Sequence, residues 1–163
     1  MNAADPLQKI LLYVETNEKG VEAARFAIAL AKRYGSELHA VSVVNEKVLD
    51  ELLRARVVLK EESLDIERDL EEDGRRYLAF VEKLANEKDL QVTTRMLRGV
   101  VHQEVLREAR ETGANLLVIG EVEESFSRRD CTFNESERIV VTADCPVVVV
   151  KGRDLVKRFF ESV

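Results

Sequence analysis

Two short, uninterrupted apolar runs, Leu116-Leu117-Val118-Ile119 and Val147-Val148-Val149-Val150, constrain this chain more than any other feature. A strand with one wet face alternates apolar and polar side chains. Unbroken runs of this length therefore predict strands covered on both faces, as in a parallel sheet between helices. The first run closes on Gly120, and in such sheets ligands bind beyond the carboxyl ends of the strands, where the strand order reverses. The polar stretch from Glu121 to Thr132 is the expected lip of a binding site, and Asn134 to Ala143 the helix that follows it.

The rest of the chain repeats that grammar. Ile10 to Val14 is a first apolar run, ending at Glu15-Thr16-Asn17, where small polar groups begin a turn and cap a helix. Val21, Ala24, Ala27, Ile28 and Ala31 then mark a helical stripe over 20–34, with Gly35 as its stop. Leu38 to Val44 reads as a second strand. Residues 45–89 form the longest helical stretch, where Leu59, Ile66, Leu70, Tyr77, Val81 and Leu84 keep one face among many acidic residues; Gly74 is expected to mark a bend. Leu90 to Leu97 alternates in the manner of a strand near an edge, and Val101 to Ala109 is helical up to Gly113. Arg153 to Glu161 adds a short amphipathic helix whose Phe159 and Phe160 are expected to cover a sheet edge or a partner. The alternation of strand and helix predicts a doubly wound α/β sheet with right-handed crossovers.

Composition narrows the function classes. No run of eighteen apolar residues is present, and the first residues lack a charged-then-apolar leader, so an unexported cytoplasmic protein is expected. A formal charge of -6 opposes nonspecific nucleic-acid binding, which needs excess Lys and Arg. The two histidines, His39 and His102, fall in different elements, and Cys131 and Cys145 lack metal-ligand spacing, so no metal site is expected. Walker and nucleophile-elbow motifs are absent. The expected class is a binding module and not an enzyme, with slow ATP hydrolysis as the enzymatic alternative.

Taken together, the strand Lys9 to Val14 followed by an acidic residue, Gly99 before a helix, Leu116 to Gly120, and the closing Ala143-Asp144-Cys145-Pro146 before four valines resemble the universal stress protein family. The resemblance covers residues 1–152, leaving 153–163 as a C-terminal tail. It implies a five-stranded parallel sheet of order 3-2-1-4-5, similar to the adenine nucleotide alpha hydrolases, and a homodimer joined through the last strand, Val147, Val148, Val149 and Val150. It also implies a nucleotide pocket built from an acidic residue after the first strand, a valine near the end of the second, and a glycine-rich loop after the fourth.

On this sequence those positions fall at Glu15, Val43, Gly120, Glu123 and Asn134. Only the first of the three loop glycines is kept, as Gly120; Glu123 takes the second position and Phe133-Asn134 the final pair. Glycines in such loops let backbone N–H groups approach phosphates. The stretch instead carries Glu121, Glu123, Glu124 and Asp130 against Arg128 and Arg129. The expectation is therefore a cytoplasmic stress-response module acting through protein contacts, with no tightly bound cofactor. A sensor that keeps ATP, AMP or adenosine is the alternative.

Overall fold

The computed structural model describes residues 5–122 and 134–163. Five parallel strands form one sheet: β1 (Lys9–Tyr13), β2 (Glu37–Asn45), β3 (Val92–Gly99), β4 (Leu116–Ile119) and β5 (Val147–Val149), in the order β3-β2-β1-β4-β5. The chain runs outward from β1 through β2 to β3, then crosses back to β4. The order thus reverses between β1 and β4, which pair with Ile10 opposite Leu116 and Leu12 opposite Val118.

From Ile10 to Val14 the chain is apolar throughout because successive side chains enter opposite cores. Ile10, Leu12 and Val14 pack on one face with α1 (Glu18–Tyr34) and α3 (Lys60–Asn86). Leu11 and Tyr13 pack on the other with α4 (Val101–Thr112) and Ile139 of α5 (Glu135–Thr142). The α1 contribution to the first core is largely Ala23, Ala24, Ala27 and Ala31, small side chains that bring the helix close to the sheet. Gly35 and Gly113 end α1 and α4 with φ of 68°, a left-handed cap that glycine adopts without a Cβ clash.

The helical stretch expected over 45–89 is two helices, α2 (Glu46–Arg54) and α3, with a turn at 55–59 between them. Arg56 carries that turn at φ 54°. At Gly74, where a bend was expected, α3 runs on as one unbroken helix. The glycine lets the helix settle on the sheet: a Cβ would lie 2.5 Å from the Met96 methyl and 3.2 Å from the Ser42 hydroxyl.

The tail forms the short helix expected of it. Helix α6 (Arg153–Glu161) packs mainly on α1: Val156 and Phe160 enter the first core, and the Phe159 ring lies 5.8 Å from that of Phe26. The last valine run is less buried than unbroken hydrophobicity suggests. Val147 to Val149 are half-buried because β5 is an edge strand with β4 on one side only, while Val150 is buried. At the opposite edge, Arg95 of β3 donates to both carboxylate oxygens of Glu108 in α4 at 2.9 Å, and Glu108 is only 1% exposed.

Candidate functional site

A cleft of about 350 Å³ opens at the carboxyl ends of β1 and β2, at the point where the strand order turns. Its floor comes from Tyr13, Val14 and Ser42, and its rim from the starts of the helices that follow the strands. The Ser42 hydroxyl is buried and donates to the Val14 carbonyl at 3.1 Å, holding the ends of β1 and β2 together. Asn17 caps α1 by accepting from the Gly20 amide at 3.0 Å, Asn45 caps α2 by accepting from Val48, and Asn134 caps α5 by accepting from Glu137 at 2.8 Å.

Three of the positions proposed from sequence, Glu15, Val43 and Asn134, line this one cleft. Gly120 does not line it. It is buried, with the place of a Cβ only 3.0 Å from the Lys19 carbonyl oxygen, so it serves the contact between β4 and the start of α1. Gly20 is held similarly, since a Cβ there would fall 1.9 Å from the Glu15 carbonyl oxygen. Glu123, together with Glu124, Arg128, Arg129, Asp130, Cys131 and Phe133, lies outside the described residues.

Glu15 is already engaged. One carboxylate oxygen accepts from the Ser136 hydroxyl at 2.9 Å and the other from the Asn17 side-chain amide at 2.9 Å. Glu135 beside it accepts from both the His102 backbone amide at 2.9 Å and the imidazole Nδ1 at 2.6 Å, with Lys47 at 3.7 Å. Burial pushes the Glu135 carboxyl up, but the two His102 bonds and the charges of His102 and Lys47 outweigh it and hold the group below its ordinary value. Tyr13 goes the other way: burial, then the charges of Glu15 and Glu135, push its phenol well above the usual range, so it stays a neutral hydroxyl. Glu121 adds a third carboxylate at the mouth, paired with Lys151 at 3.5 Å.

Glu135, Ser136 and Tyr13 were not anticipated from the sequence. The visible signal was Asn134: a residue capping a helix at the end of a sheet places the next two side chains at the same rim. His102 joins α4 to α5 through its bonds to Glu135. Cys145 is half-buried, and burial followed by the Asp144 charge raises its thiol, in keeping with a packing role. Among the described residues no group of three or more His, Cys, Asp and Glu side chains is placed to hold a metal ion. None of the described helices is long and apolar enough to cross a membrane.

Residues 6–151 match the model of the universal stress protein family. Universal stress protein MJ0531 of Methanocaldococcus jannaschii is 30% identical over 151 residues, covering 92% of this chain and 85% of the relative. Among solved structures, a universal stress family protein from Burkholderia pseudomallei superposes with a TM-score of 0.64 at 23% identity, covering 91% of this chain and 98% of that one. The universal stress protein from Archaeoglobus fulgidus in complex with dAMP superposes with a TM-score of 0.58 at 15% identity, covering 88% and 98%. These two likenesses concern the fold.

Proposed function

Since the chain belongs to the universal stress protein family, we propose that it is a regulatory module of the stress response that works through protein contacts and does not hold ATP tightly. The observation that carries this reading is the chemistry of the cleft. Glu15, Glu121 and Glu135 line it, and both oxygens of Glu15 are taken by Ser136 and Asn17. A triphosphate entering there meets carboxylates, which repel it at short range in a partly desolvated site. A ribose hydroxyl seeking Glu15 finds one acceptor site on each oxygen already used by the protein itself.

The test is to denature the purified protein, identify released small molecules by mass spectrometry, and titrate the emptied protein with ATP, AMP and adenosine by calorimetry. No retained nucleotide and no ATP heat are expected. ATP bound with micromolar affinity overturns the reading.

The second reading is an adenine-nucleotide sensor, supported by the dAMP complex of the Archaeoglobus relative and by Glu15 and Val43 on one cleft. Binding of AMP or adenosine without ATP would favour it. Under either reading we infer a homodimer joined through β5. Its free edge, the exposed Val140 and Val141 of α5 and the half-buried Val149 surround an apolar groove of about 330 Å³, a surface suited to an isologous contact.

A further inference from the structure

Helix α2 and the first half of α3 stand away from both cores. Between residues 46 and 73 only Leu49 and no other side chain is buried. The stretch nevertheless carries large apolar groups in open solvent: Val57 is 70% exposed, Leu59 67% and Leu64 62%, and Val48 of α2 is exposed as well. Three large apolar side chains left to solvent within eight residues of the α2–α3 turn and the start of α3 point to an interaction surface.

The charge of the same stretch sets the partner. Residues 46–73 hold eleven acidic and five basic side chains, an excess equal to the -6 of the entire chain. Some of these carboxylates are used internally: Arg98 of β3 grips Glu67 and Glu71, and Arg76 pairs with Asp73. Asp50, Glu51, Glu61, Asp69 and Glu72 have no cation paired with them among the described residues. An apolar surface rimmed by free carboxylates repels nucleic-acid phosphates and anionic lipid headgroups and attracts Lys and Arg. A second copy presenting the same patch would bring like charge against like charge.

The backbone groups here are spent within helices and offer no edge to an added strand, whereas neighbouring helices offer ridges and a groove to another helix. We propose that the α2–α3 surface receives a basic amphipathic helix of a partner protein, its apolar stripe on Val57, Leu59 and Leu64 and its Lys or Arg residues on the surrounding carboxylates. The proposal rests on the reading that this chain acts by protein contacts, and it names the chemistry of the partner.

The probe is a labelled synthetic peptide of about five helical turns, with Leu at three- and four-residue spacing and Lys elsewhere. Its counterpart has Glu in place of every Lys. Binding is followed by fluorescence anisotropy, and the surface is mapped by amide chemical shifts. The lysine peptide is expected to bind, to shift amides within 46–73, and to bind about tenfold more weakly to the Val57→Ser, Leu59→Ser, Leu64→Ser variant. Those side chains are exposed, and an unchanged circular dichroism spectrum and melting temperature confirm that the variant folds. Equal binding by the variant, shifts centred elsewhere, or equal binding of the glutamate peptide overturns the proposal. So does self-association of the wild-type chain that the triple substitution abolishes, which would make a second copy the occupant. Tight ATP binding would overturn the proposed function and leave this result standing, so the two failures are distinguishable.

Discussion

The Ser136 hydroxyl donates to the Glu15 carboxylate at 2.9 Å, joining the end of β1 to the first turn of α5. Replacing Ser136 with Ala leaves one oxygen of a partly exposed carboxylate to water. The expected loss is about 1 kcal/mol of folding stability, read from the urea midpoint at neutral pH. An unchanged midpoint would show that the bond contributes nothing in solution.

Glu135 stabilises the folded chain through its ionised form, because its folded value is lowered. That contribution is complete above the ordinary value of 4.5 and is lost as the pH falls through the lowered folded value. Glu135→Gln lacks this dependence. The stability gap between the two proteins, wild type above variant at neutral pH, is therefore expected to narrow on acidification to about pH 3. A gap that stays constant with pH would remove His102 and Lys47 as its cause.

Arg95→Met strips the buried Glu108 of its partner. Because Arg95 is itself half-exposed, the cost falls below that of breaking a fully buried pair, at about 2 kcal/mol. Adding Glu108→Leu removes the stranded carboxylate and is expected to recover most of the loss in thermal unfolding. A double variant as unstable as the sum of the singles would refute coupling between the two sites.

Val149→Lys places a charge on the free edge strand beside Val140 and Val141. If β5 forms the dimer seam, sedimentation equilibrium will show the variant as a monomer at concentrations where the wild-type chain is a dimer. A wild-type monomer, or a variant that remains dimeric, eliminates that seam.

Much of the fold was legible because burial on both faces writes itself as unbroken apolar runs. Ile10 to Val14 and Leu116 to Ile119 could be read directly, and Gly35 and Gly113 marked the ends of their helices. The break between α2 and α3 could not be read, since its left-handed turn falls on Arg56, a residue type that gives no turn signal and bears a strain of about 1–2 kcal/mol there. Glu108 was equally silent: a glutamate in a helix resembles a surface charge until an arginine from another element closes over it.

The site was legible only in part. Glu15, Val43 and Asn134 follow from where strands stop and helices start, but the Glu15–Ser136 bond spans 121 positions and depends on the crossover between β1 and β4. Gly120 was ambiguous in the sequence because a glycine at a strand end serves a ligand, a neighbouring backbone or both. Here it serves the Lys19 carbonyl.

The two glycines against the start of α1 also bear on the history open to this protein. A side chain at Gly20 would collide with the Glu15 carbonyl, and one at Gly120 would crowd that of Lys19. Lineages descended from this chain can therefore vary little on that flank without losing the fold. Divergence in what the cleft accepts has to accumulate in side chains that line it from another element, such as Glu135 and Ser136 of α5.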